Sequence, residues 1–187
     1  MIVPKRFFLT SGVGVHKEKL ISFEIALRQA KISPYNIVCV SSIIPPNCEL
    51  IECFDDNLAQ YSQHGQILFS VLSQCSTDEQ DRLISASVGV AQPKQKEHYG
   101  YLSEHHAFGM DEKTAGLHAE DLAAYMLGTT LGMNLGTSMS IEPIWDDDND
   151  SFVFVGDLIV KPNHITQVAK GQAGMWTTVL AAACFLD

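Results

Sequence analysis

The chain has 187 residues, 46% hydrophobic and 18% charged, which suits one ordinary globular domain with a core of its own. Its 22 acidic residues against 12 basic ones leave a formal charge of −10. No basic run interleaves with aromatics, so nucleic acid and anionic membranes are poor partners and a cationic small molecule fits the field better.

The opening "MIVPKRFFLTSGVG" offers only "FFL" as an apolar run, too little for a signal peptide, and no window approaches a membrane span. "GVGVH" at 12–16 lacks the third glycine, the lysine and the following helix start of a phosphate loop. The five cysteines, 39, 48, 53, 75 and 184, are odd in number and show no C-x-x-C, which argues against a disulfide framework and makes packed thiols in a cytoplasmic protein the expectation.

Residues 20–31, "LISFEIALRQAK", place Leu20, Phe23, Ala26, Leu27 and Ala30 at helical spacing with Glu24, Arg28 and Lys31 between them. A short proline-containing loop then leads into a strand over Asn36 to Val40. Strands are predicted at 65–73, 83–92 and 100–108, each a short apolar or alternating run bounded by polar turns. "DEKTAGLHAEDLAAYMLGTTLGM", 111–133, opens with acids suited to a helix N-terminus and predicts a long helix with Leu117, Leu122, Tyr125 and Met126 on one face. "SFVFVGDLIV", "HITQVAKGQ" and "MWTTVLAAACFL" read as three further strands, the last rich enough in alanine for a helix to remain an alternative. The expected fold is α+β, with sheets packed on each other and helices outside.

Several stretches invite chemistry. "DDDND" at 146–150 has the carboxylate density of a cation site but neither the spacing nor the glycine of a calcium loop, so it reads as a solvated hairpin tip. His105 and His106 are adjacent on a strand and point to opposite faces, which prevents them from sharing one metal. Glu104 sits just before them in an apolar and aromatic strand, as an edge residue or as a general acid. In "NIVCVSSIIPP", 36–46, proline rigidity accounts for Pro45 and Pro46 but leaves Ser41 and Ser42 as either a polar strand end or a reactive peptide bond.

"FEIALRQAKISPYNIVCVSSIIPP", followed downstream by "GYLSEHH", resembles the pyruvoyl-dependent arginine decarboxylases. The resemblance rests on the helix with its acidic residue, the asparagine six positions before the second serine, the Ser-Ser pair, the Ile-x-Pro-Pro after it, the glutamate of Gly100–Glu104, and the alanine-rich end behind "VAKGQAG". It implies an α/β/β/α-type sandwich of two mainly antiparallel sheets flanked by helices. It also implies self-cleavage into residues 1–41 and 42–187, with Ser42 attacking the Ser41 carbonyl and becoming a covalent pyruvoyl group.

By the same resemblance, arginine is decarboxylated to agmatine through a Schiff base on that group, without pyridoxal phosphate or metal. Glu104 matches the proton donor, and Asn36 the asparagine beside the pyruvoyl group, placed to donate to the developing oxyanion. Glu24 matches the acid that binds the guanidinium. Leu27, Ile43 and the carboxylate freed at Ser41 line the substrate. A carboxylic acid donates a proton near neutral pH only where burial or a negative neighbour favours its protonated form. Homotrimers or pairs of trimers, with sites shared between neighbouring chains, are implied as well. Some relatives carry Asp where this chain has Glu24, and the extra methylene moves the anion by roughly a C–C bond length. Another amino acid substrate, or a scaffold of the same fold that never cleaves, remains the alternative.

Overall fold

The protein is seen in a computed structural model that describes residues 2–52, 63–131, 144–146, 151–154 and 158–187. Along the chain these form β1 (Arg6–His16), α1 (Lys19–Gln29), β2 (Asn36–Cys39), β3 (Ile43–Ile44), β4 (Glu49–Leu50), β5 (Ile67–Thr77), β6 (Leu83–Pro93) and β7 (Gly100–Phe108). After them come α2 (Glu112–Thr130), β8 (Ile144–Asp146), β9 (Ser151–Phe154), β10 (Leu158–Lys170) and β11 (Trp176–Leu186). The architecture is α+β, with one sheet ordered β2-β5-β11-β1-β4 and a second ordered β3-β7-β6-β10-β9-β8. Pairing is antiparallel except for β2 with β5 and β1 with β4.

Strand periodicity divides the apolar residues between two clusters. Phe7, Val71, Val179 and Ala181 of the first sheet join Ile84, Val88, Val90 and Leu102 of the second in one core. Phe8, Leu68, Leu180 and Ala182 point the other way and pack under Ala26 of α1 and Ala30 at its C-cap. β11 is therefore covered on both faces, which is why "VLAAACFL" is a strand: small residues let the helix and the opposing sheet approach it together.

Glycine makes that approach possible at β1, a strand that its glycines hide from a periodicity reading. A Cβ on Gly12 would lie 2.2 Å from the Ala26 carbonyl oxygen, and one on Gly14 2.0 Å from that of Ser22. "GVGVH" thus serves helix packing. α1 ends in a Schellman motif, with Ile32 N–H on the Leu27 carbonyl, Lys31 N–H on that of Arg28, and Lys31 at φ 63°. Leu20, expected on the packed face, is 78% exposed, and the fully buried positions are the small Ser22 and Ala26.

α2 packs on β6, β7 and β10. Asp111 caps it by accepting from Thr114 N–H at 2.8 Å, which holds the Asp111 carboxyl below its usual range. Its buried face is Ala115, Gly116, Ala119, Glu120, Ala123, Ala124 and Leu127, whereas Leu117 is 41% exposed and Leu122, Tyr125 and Met126 are only partly covered. The predicted face was the bulkier one; close packing selects the small one, since Gly89 of β6 leaves no room for a Cβ beneath Ala119. Cys48, Cys75 and Cys184 are buried and Cys39 is exposed, and burial pushes the Cys48 thiol up to about 11. The acidic tip at 147–150 lies outside the described residues.

Candidate active site

β2 is an edge strand of the first sheet and β3 an edge strand of the second, so the chain changes sheets at Ser41–Ser42. Upstream, Val40 N–H still donates to the Ser70 carbonyl of β5 at 3.0 Å; downstream, Ile43 faces Tyr101 of β7 in the β3 pairing. The peptide bond between the serines is thus anchored to a different sheet on each side. Pro45 and Asn47, the latter at φ 61°, then turn the chain towards β4.

At the crossing, Ile43 N–H donates to the Ser41 carbonyl at 3.0 Å, a three-residue turn centred on Ser42. The Ser42 carbonyl accepts from Leu102 N–H at 2.8 Å, and the Ser42 hydroxyl donates to Glu104 Oε2 at 3.1 Å. β7 therefore grips Ser42 twice within two residues. A hydroxyl with a carboxylate acceptor, beside a carbonyl that already receives an N–H, has the parts needed for attack on that carbonyl.

Glu104 itself is exposed, so its own chain does not supply the apolar surroundings expected for it; β3 covers only the first residues of β7. The neighbouring His105 turns its ring to the helix side, 4.4 Å from that of His118, and burial, with His118 and His106 adding to it, pushes the imidazole below its ordinary range.

Of the other expected site residues, Ile43 stands at this centre, whereas Asn36, Glu24 and Leu27 lie apart from it within one chain. Asn36 begins β2, its Nδ2 donating to the Gly65 carbonyl at 2.7 Å. The extended run from 36 to 40 places about 13 Å of strand between it and the serine turn. Glu24 stands on the solvent side of α1, its Oε1 2.6 Å from Arg28 Nε, and Leu27 is partly buried on the same helix. The first sheet separates that helix from the core face on which Leu102 and Glu104 lie. Ile43 is 39% exposed at the crossing.

Residues 6–187 match the family described as pyruvoyl-dependent arginine decarboxylase. The chain belongs to that family. It is 49% identical over 184 residues to the probable pyruvoyl-dependent arginine decarboxylase of Chlorobaculum tepidum, covering 98% of both chains. It is 46% identical over 186 residues to pyruvoyl-dependent arginine decarboxylase 2 of Methanosarcina mazei, covering 99% of this chain and 98% of the other.

The serine crossing suits the group that names the pyruvoyl-dependent family. A chain end created at residue 42 would remain tied to the second sheet through Leu102 and β3, while residue 41 would remain on the first. The sequence singles out both serines and Glu104, which the structure brings together, but not Leu102, because a main-chain N–H leaves no residue signature.

Proposed function

We propose that this chain cleaves itself between Ser41 and Ser42 and then decarboxylates L-arginine to agmatine and carbon dioxide, in the α/β/β/α sandwich of its family. The observation that carries the reading is the Ser42 hydroxyl on Glu104 beside the bent Ser41–Ser42 peptide, with a donor already on each serine carbonyl.

Cleavage uses the chain's own atoms. Ser42 Oγ adds to the Ser41 carbonyl carbon, the C–N bond breaks, and an ester joins the residues while the Ser42 nitrogen becomes a free amine. Elimination across Cα–Cβ of residue 42 releases the Ser41 carboxylate. The resulting dehydroalanine tautomerises to an imine, and water replaces its nitrogen with oxygen, releasing ammonia and leaving a pyruvoyl terminus. Proximity carries most of the first step, since nucleophile and carbonyl are on adjacent residues. Ile43 N–H is the donor in place for the developing oxyanion.

When present, the pyruvoyl group supplies a ketone for the substrate's α-amine and an adjacent carbonyl that takes up the electron pair left by carbon dioxide. Leu102 N–H polarises that carbonyl, Glu104 returns a proton to Cα, and Glu24 pairs with the guanidinium, while Leu27, Ile43 and the Ser41 carboxylate line the site. No pyridoxal phosphate or metal takes part. Because Asn36 and Glu24 do not reach Ser42 in their own chain, they would serve a neighbouring one in a homotrimer or a pair of trimers. The exposed Val38 and Ile67 on the first sheet and Ile43 on the edge strand of the second support such packing.

Intact mass of purified Ser42→Ala tests the reading. It should be one full-length chain without arginine decarboxylation, where the parent gives fragments 1–41 and 42–187; a cleaved or active Ser42→Ala protein would remove the proposal. Carbon dioxide release across a panel of amino acids then checks the substrate.

A further inference from the structure

Ser73 is a hydroxyl inside an apolar core. It lies on β5 between Val71 and Cys75, which belong to the cluster between the sheets, and it is 2% exposed. A buried hydroxyl must find a partner or forfeit its hydration. Ser73 Oγ finds one in the opposing sheet, donating to the main-chain carbonyl of His105 at 2.6 Å. His105 directly follows Glu104.

That bond closes a circuit of short links around the serine crossing. β5 holds β2, and through it Ser41, by the Val40 N–H on the Ser70 carbonyl. β5 also holds β7 by Ser73. β7 in turn holds Ser42 by Leu102 N–H and Glu104. Two of the links are main-chain bonds, and the Ser42–Glu104 contact is the reacting pair itself. Ser73 is the link through a non-reacting side chain.

Glu104 is exposed, and residue 42 reaches it from a chain that β5 holds at Val40, so how the two meet depends on where β7 stands against β5. The His105 ring, packed against His118 of α2, restrains the same peptide from the helix side. Resting on the roles proposed above for Ser42 and Glu104, we infer that Ser73 is a positioning residue: by fastening the His105 carbonyl to β5 it sets the Glu104 carboxylate against residue 42, both before cleavage and during turnover.

The test compares Ser73→Ala with Ser11→Ala, since Ser11 Oγ donates to Gln167 Oε1 across the same pair of sheets but away from the serines. Ser73→Ala should slow self-cleavage, followed by intact mass, and lower kcat about tenfold with KM for arginine within about twofold, as expected for about 1.4 kcal/mol lost at the reacting groups. Ser73→Thr should restore both rates to within about threefold of the parent, because it returns the hydroxyl. Ser11→Ala should change the unfolding midpoint without changing either rate. If Ser73→Ala fails to fold, Ser73→Cys, similar in size and a weak donor, takes its place with the same expectations.

A double-mutant cycle with Glu104→Gln separates positioning from general loosening. In the Glu104→Gln background, whose kcat should already be reduced a hundredfold or more, Ser73→Ala should cost less than twofold further. Additive losses, or normal cleavage and kcat in Ser73→Ala, would overturn the inference. Normal turnover in Glu104→Gln would instead overturn the role of Glu104, so the two failures are distinguishable.

Discussion

Glu24 already holds one guanidinium, that of Arg28 one helical turn on, and in the role proposed for Glu24 a substrate would have to displace it. The pair is exposed, 69% at Arg28 and 41% at Glu24, so it contributes about 0.3–0.5 kcal/mol, a factor of about two in affinity. A charge-assisted bond to a bound substrate is worth about 1.5–3 kcal/mol, so a substrate that pairs with Glu24 would win the competition. Arg28→Ala should therefore lower KM for arginine about twofold, while Glu24→Gln should raise it tenfold or more, as read from steady-state kinetics. Neither change should alter self-cleavage, because Glu24 and Ser42 do not touch. Unchanged arginine kinetics in Glu24→Gln would move the specificity carboxylate elsewhere. At this scale the sequence reveals side chains and conceals main chain: Ser42 and Glu104, which meet in the fold, could be singled out, but the N–H groups of Leu102 and Ile43 that hold the serine carbonyls carry no signature.

At the scale of elements, the strand predicted over 100–108 reproduces β7, which ends where Gly109 turns the chain at φ 81°. β1 was not legible because Gly12 and Gly14 belong to the packing of α1, a long-range fact, and glycine alone suggests a turn. The same closeness makes Gly12→Ala costly: its Cβ would meet main chain, which cannot rotate away, so α1 must shift and unfolding should become easier by about 1–3 kcal/mol, seen as a lower urea midpoint at unchanged m. α2 adds a pH signature. Its buried Glu120 lies 2.6 Å from His164 Nδ1 of β10, and that bond, against the opposing effect of burial, raises the imidazole above its ordinary value of about 6.5. The folded state then binds the proton more tightly than the unfolded one, so the contribution is complete below the ordinary value and lost as pH rises through the folded value. His164→Gln should consequently lose more stability at pH 6 than at pH 9, by urea denaturation at both. The depressed His105 acts with the opposite sign, but it is common to variant and parent and drops out of the difference.

For the whole molecule, the distribution of the site over the fold decides how many chains make one centre. Ser42 and Glu104 meet in one chain, while Glu24 lies on α1 beyond the first sheet. In a cyclic assembly, subunits carrying Ser42→Ala and subunits carrying Glu104→Gln should therefore not rescue each other, because every centre draws both residues from one chain. Ser42→Ala mixed equally with Glu24→Ala should behave differently. A working centre then needs Ser42 from one parent and Glu24 from its neighbour, each chosen with even odds, so about a quarter of the sites should recover. The mixtures need annealing under conditions that exchange subunits, with native mass spectrometry confirming mixed trimers before agmatine formation is measured. Recovery in the Glu104 mixture would place Ser42 and Glu104 on different chains in the assembled enzyme. No recovery in a confirmed Glu24 mixture would mean that the guanidinium partner comes from the chain that carries Ser42, and α1 of a neighbour would have no part in the site.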